Sequence, residues 1–399
     1  MSVTAARMPA LSPELRLLLL FSRLELDDDQ TKAALALCDE VEDWEAFRST
    51  ARDRFILPVV YRHLRCLKPS SLPAEKLALM KQQVMALYRH NLNVIASLGE
   101  IHQQLLAPLE IPYVTFKGPS LAACYYAEPA MRFSRDIDIL VPRETMAELL
   151  ARALEVGYTP LDPPALTNDP SCLAFVARFH DVITVSSPAG VAVEFHARID
   201  KSGWVYDSPS LIHRCEKTQV GNVNVSVLPT DELFVYICLH HTRHFWSRLH
   251  WLVDLDAIQR HPSFDRRRVL ACAEQHGLST TVDVCLQMAE VLGSPDFDPH
   301  VQHGVRVDKL LRLSLAAMQG NDEFERRLID HRSSPDFAFR WQSSWGYRWR
   351  WLLMGWLRFF RPTFELYREW PLPSRWQWLY RPLRPWRAFR QRLLRHDTN

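Results

Sequence analysis

Glycine is scarce in this chain, 12 of 399 residues, where an average protein carries about 7%. Folds that rest on repeated glycine turns are thereby excluded, and neither a GxGxxG nor a GxxxxGK phosphate loop occurs. The eight cysteines, Cys38, Cys66, Cys124, Cys172, Cys215, Cys238, Cys272 and Cys285, form no CxxC pair and no knuckle spacing. They read as buried free thiols of a reducing compartment, with no spacing that would seat a structural zinc. Long apolar runs are missing too. The stretch 351–357 is seven residues long, against about 20 needed to span a bilayer. The run 17–21 is flanked by Glu14, Arg16 and Arg23, as one face of a helix would be. These absences lead us to expect a cytoplasmic protein that does not cross a membrane.

What is present is a globular composition, 47% hydrophobic and 24% charged, enough for a large core. At roughly 150 residues per domain the length suggests two or three domains. Charge is unevenly placed. Residues 340–399 hold 13 Arg, no Lys and three acids, a net of +10 that leaves −8 for the rest, and nine of the 13 tryptophans lie there.

Apolar spacings of three and four predict helices through 1–108, the longest over 73–106, opened by Pro73 and Glu75 and closed by Pro108. Strand patterns follow at 113–116, 136–141, 181–187, 191–198 and 223–228, with helices over 119–126 and 144–156, the second ending at Gly157. Residues 109–229 thus form a small α/β unit, 230–330 a helical domain that begins near Thr230, and 331–399 a Trp/Arg-rich tail.

Asp136 and Asp138 stand two apart on a predicted strand, so their carboxylates share one face while Ile137, Ile139 and Val141 take the other. At about 5 Å and an effective dielectric near 20 their repulsion is roughly 3 kcal/mol, which calls for a cation between them. A divalent metal meets that need, as does Arg132, Arg135 or Arg143. Glu194, on the polar face of 191–196 with His196, is placed to add a third carboxylate. Three such acids suit a pair of Mg²⁺ ions about 3.5–4 Å apart, and so phosphoryl chemistry. Upstream, Lys117-Gly118-Pro119-Ser120 leads from strand into helix, where backbone N–H groups, a hydroxyl and an amine can meet phosphate.

Phe116-Lys117-Gly118, Leu121, Tyr126, Arg132, the run Asp136-Ile137-Asp138-Ile139-Leu140-Val141, Gly157-Tyr158 and Val193-Glu194-Phe195-His196 together resemble the bacterial "uncharacterised nucleotidyltransferase" branch of the DNA polymerase β-like superfamily. The likeness spans about residues 110–260. It implies an α+β fold, a nucleotidyltransferase-type mixed sheet with flanking helices set between helical N-terminal and C-terminal regions. It further implies an NTP donor, Mg²⁺ or Mn²⁺ as cofactor, Asp136, Asp138 and Glu194 as catalytic metal ligands, and Gly118 and Ser120 as the phosphate loop; Lys117, Arg132 and Arg135 are our further candidates around the nucleotide. Pro119 departs from the adjacent Gly-Ser or Gly-Gly of the superfamily and removes one backbone donor.

A second tier comprises His196, His240, His244 and Asp254. His240 and His244 share a helix face; they suit a hydrogen-bonded structural pair, or else His244, Arg243 or Arg248 leans over the triphosphate with Asp254 orienting a histidine. In the tail, Trp345, Trp349, Leu352, Trp356 and Phe359 fall at helical spacing. They suit docking onto the body, contact with an anionic membrane surface, or an acidic partner, nucleic acid ranking lower. The expected function is Mg-dependent transfer of an NMP group to an unknown small-molecule, peptide or protein hydroxyl. The alternative is a non-catalytic NTP-binding or scaffold module, brought to a membrane or partner by residues 340–399.

Overall fold

The computed structural model describes residues 11–200, 205–320, 346, 349, 353, 356, 357 and 360–387. The protein is an α+β molecule with a seven-stranded mixed sheet and many helices. It divides into two compact units. One takes in the described parts of Met1–Leu92, Leu121–Phe133 and Pro229–Ser343; the other takes in those of Asn93–Ser120, Ser134–Leu228 and Ser344–Asn399.

The second unit holds the sheet: β1 (Val114–Thr115), β2 (Asp136–Leu140), β3 (Thr159–Asp162), β4 (Val182–Ser186), β5 (Ala192–His196), β6 (Glu216–Val220) and β7 (Val223–Val227), in the order β3-β4-β5-β2-β1-β7-β6. β2 runs parallel to β5 and antiparallel to β1, and β1 runs parallel to β7. Alternation explains the core strands: Ile137, Ile139, Val193 and Phe195 are fully buried, while Asp136, Asp138, Glu194 and His196 take the opposite face. Two strands, β3 and β6, and the helix Pro170–Phe179 were not expected. The predicted helix over 73–106 ends at Ile101 and continues as a π-helical turn, His102–Leu106.

The first unit is helical. Helices Pro13–Leu20, Asp28–Glu40, Trp44–Asp53 and Leu57–Leu67 join those at Thr230–Arg243, His250–Arg260, Arg266–Gln275, Ser279–Leu292 and Val305–Gln319. Caps set several starts; Asp27 and Gln30 form a reciprocal capping box. Within this unit Asp254 is fully buried and accepts from Arg132 Nε at 2.7 Å, Arg132 Nη2 at 2.8 Å and the Tyr126 hydroxyl at 2.7 Å.

Two expectations need correction. The cysteines are free, but Cys66 is exposed and Cys124 and Cys215 are half-buried. In the tail, Phe364, Tyr367 and Tyr380, not tryptophans, pack against Phe175, and Gln377 donates to the Ser171 carbonyl. Trp349 and Trp356 are 67% and 62% exposed; Trp345, Leu352 and Phe359 lie outside the described residues. No helix among the described residues is long and apolar enough to cross a membrane.

Removing one partner of a buried ion pair strands the other charge, which costs about 3–5 kcal/mol. Arg132→Leu is therefore expected to lower the thermal midpoint sharply, and the double variant Arg132→Leu/Asp254→Leu to recover much of the loss. Equal midpoints for wild type and Arg132→Leu would contradict this account.

Candidate active site

The acidic cluster follows from strand register. β2 and β5 pair in parallel with Asp138 opposite Glu194 and Leu140 opposite His196, and Thr184 of β4 lies opposite Glu194 on its other side. Two residues past β1, Lys117 reaches the same face and places Nζ 2.9 Å from Asp138 Oδ1. His196 Nε2 lies 3.0 Å from Asp138 Oδ1 and 3.2 Å from Glu194 Oε2, bridging the two carboxylates. Phe116, buried beneath, meets the His196 ring edge-on at 5.1 Å.

Burial and charge split the two aspartates. Asp136 is pushed up to about 6, first by burial and then by the Asp138 carboxylate, with Glu194 adding to the rise. Asp138 is more deeply buried, which alone would raise it. The Lys117 ammonium and the His196 hydrogen bond outweigh that and hold its carboxyl well below the usual range. Burial opposes charge on His196, yet its bonds to Asp138 and Glu194 raise it above the ordinary histidine value. The site therefore sets side by side one acid that holds its proton to higher pH than usual and one that gives it up more readily.

The phosphate-loop residues have local reasons to be where they are. Gly118 adopts φ +60°, and a Cβ there would lie 2.7 Å from the Asp136 carbonyl oxygen, so only glycine lets the loop approach β2 this closely. It opens the helix Gly118–Tyr125. The buried Ser120 hydroxyl donates to the Lys117 carbonyl at 2.9 Å and closes the turn. Arg135 is exposed beside Asp136, and its charge favours the ionised carboxylate there, although burial and the neighbouring acids outweigh it.

Of the residues singled out in the sequence, Lys117, Asp138, Glu194 and His196 are brought into direct contact, with Asp136 on the same face. Arg132 and Asp254 are brought to each other, in the helical unit. His240 and His244 belong to that unit as well, with rings 4.6 Å apart; the neighbouring His241 stacks on Trp251 at 4.4 Å. His196 ranked second in the sequence, although it is central to the geometry. Its signal was the same-face alternation with Glu194. Thr184 left no signal of its own.

For a metal, one oxygen each of Asp138 and Glu194 and a ring nitrogen of His196 lie within 4.8 Å of one another. Hard carboxylate oxygens suit Mg²⁺, and an imidazole nearby suits Mn²⁺ as well. The Lys117 ammonium already supplies positive charge at this point, so the donor set fits a cation. A family model described as "Uncharacterised nucleotidyltransferase" matches residues 40–293, well over half of the chain and every residue of this cluster. No curated protein matches the chain.

The raised Asp136 pKa has a signed consequence. Its unfolded value is near 3.8 and its folded value about 6. Stability from the retained proton is therefore complete below pH 3.8 and lost as pH rises through about 6. In metal-free buffer Asp136→Asn should match wild type near pH 4 and exceed it above pH 6.5, by something on the order of 1–3 kcal/mol. Thermal unfolding across pH measures this; a variant no more stable than wild type at pH 7 would refute it.

Proposed function

The chain belongs to the uncharacterised nucleotidyltransferase family, and from that premise we propose that it moves an NMP group from an NTP to an acceptor hydroxyl, using Mg²⁺ or Mn²⁺ held by Asp136, Asp138 and Glu194. The observation that carries the reading is the meeting of Asp138 and Glu194 with Lys117 and His196, with Asp136 on the same sheet face. When bound, the metal neutralises the acids and the triphosphate and draws electron density from the α-phosphate. Lys117, displaced from Asp138, turns its ammonium to the phosphates, and Arg135 adds charge from the exposed side. Gly118 leaves the backbone bare where phosphate approaches, and Ser120 fixes that turn. His196 keeps Asp138 and Glu194 aligned. Glu194, whose side chain is 30% exposed, takes the acceptor's hydroxyl proton as the acceptor oxygen bonds to the α-phosphorus. The bond from that phosphorus to the bridging oxygen breaks, and pyrophosphate leaves with the electron pair. A small molecule, peptide or protein hydroxyl is the acceptor class.

One observation favours a second reading. Lys117 occupies the position beside Asp138 where a cation is needed, and Pro119 withholds a backbone donor, as in a non-catalytic NTP-binding or scaffold module. Thermal unfolding with Mg²⁺ and each of the four NTPs tests the donor site. A ligand at 100 times its Kd adds about 2.7 kcal/mol, and the shift should vanish in Asp138→Asn. Glu194→Gln should then keep nucleotide binding and lose pyrophosphate release by about 10²–10⁴-fold. An NTP shift undiminished in Asp138→Asn refutes the metal site, and binding without pyrophosphate release in wild type with a broad acceptor panel selects the second reading.

For residues 340–399 we propose contact with an anionic membrane surface. All six tryptophans described there, Trp349, Trp356, Trp370, Trp376, Trp378 and Trp386, are exposed, in a segment with 13 Arg. Trp favours the membrane interface, and Arg favours anionic headgroups. The protein should co-sediment with phosphatidylglycerol vesicles, weakly with pure phosphatidylcholine, and less after Trp376→Ala/Trp378→Ala/Trp386→Ala. Equal retention by the variant, or preference for single-stranded RNA over vesicles, would overturn this.

A further inference from the structure

A second cluster of ligand-type side chains lies in the helical unit, apart from the residues assigned to nucleotide chemistry. Glu232 is in the first turn of helix Thr230–Arg243, and Cys272 and His276 are four residues apart at the end of helix Arg266–Gln275. These two helices pack against each other. A carboxylate oxygen of Glu232, the Cys272 sulfur and a ring nitrogen of His276 lie within 4.8 Å of one another. The His276 Nε2 to Glu232 Oε2 distance is 2.8 Å. Glu232 is 3% exposed and Cys272 5%, and the His276 side chain is 12% exposed. An acid, a thiol and an imidazole have thus been collected in a nearly dry place.

We infer that Glu232, Cys272 and His276 form a zinc site that clasps these two helices. The charge balance supports it. A carboxylate and a thiolate against Zn²⁺, with a neutral imidazole, sum to zero, the combination a buried site tolerates best. Donor type selects the ion: thiolate and imidazole favour zinc over Mg²⁺ or Ca²⁺. Zinc bonds of about 2.0–2.3 Å place tetrahedral ligands roughly 3.4–3.7 Å apart. The present spacing, all three ligand atoms within 4.8 Å of one another, brackets that range, and water would take the fourth position. On binding, the Cys272 S–H bond breaks, an S–Zn bond forms and the proton passes to solvent; a protonated His276 would release one more.

Cobalt titration of the full chain, stripped with EDTA and kept under a non-thiol reductant, tests the assignment. One equivalent of Co²⁺ should give the visible bands of a four-coordinate ion and a near-ultraviolet thiolate-to-cobalt band, both removed by one equivalent of Zn²⁺ and unaffected by excess Mg²⁺. The thiolate band should persist in Asp138→Asn, which separates this site from the acidic cluster of the sheet. It should disappear in Cys272→Ser and need about tenfold more cobalt or higher in His276→Gln, each checked for fold by circular dichroism. Zinc should also raise the thermal midpoint of wild type more than that of either variant. A wild type without the thiolate band overturns the inference, as does a band that survives in folded Cys272→Ser. If Cys272→Ser does not fold, undiminished cobalt affinity in His276→Gln overturns it equally.

Discussion

The acidic site depends on one hydrogen-bonding register, the parallel pairing of β2 with β5. It sets Asp138 opposite Glu194 and so gathers negative charge on one face. A slip of β2 by one residue would send Ile137 and Ile139 to that face and Asp136 and Asp138 into the core. Each such apolar side chain, fully buried here, contributes about 1.5–3 kcal/mol. Two of them, about 3–6 kcal/mol, match or exceed a carboxylate repulsion of roughly 3 kcal/mol. The hydrophobic side of the sheet thus holds the charged side in an arrangement that electrostatics alone would disperse.

Within that frame, direct contacts decide which acid does what. Asp138 receives both the Lys117 ammonium and the His196 ring, whereas burial and neighbouring carboxylates dominate at Asp136. Two aspartates on one strand, two residues apart, are driven in opposite directions. Such divergence between neighbouring titratable groups accompanies sites built for proton and metal chemistry.

The central strands were legible in the sequence because they are flanked on both sides and keep most of their apolar residues on one face, which imposes alternation. β3 and β6, which were not, are the two ends of the sheet order. An edge strand is paired on one side only and tolerates Pro160, Glu216 and Lys217, so its pattern merges with that of loops. Asp136, Asp138, Glu194 and Lys117 could be read because period two dictates which residues share a face. Arg132 could not, since its partner Asp254 is 122 residues away while Asp136 is only four. Helix spacing likewise suggested docking by the tail tryptophans, but spacing does not say which aromatic is buried. Tyr380 is fully buried with its hydroxyl donating to the Trp370 carbonyl, while the larger indoles among the described residues of the tail are exposed. The Glu232, Cys272 and His276 grouping escaped cysteine spacing rules because its third member comes from a different helix.

Lys117 gives the acidic cluster a tethered counter-ion. A cation arriving at Asp138 would compete with a resident ammonium 2.9 Å away, so loading would be an exchange and not a simple addition. The local charge changes by only one unit when a divalent ion takes the place of the lysine. The strands are spared the full swing between an unscreened trio of carboxylates and a neutralised one. The evicted side chain remains attached two residues beyond β1, within reach of whatever anion follows the metal in.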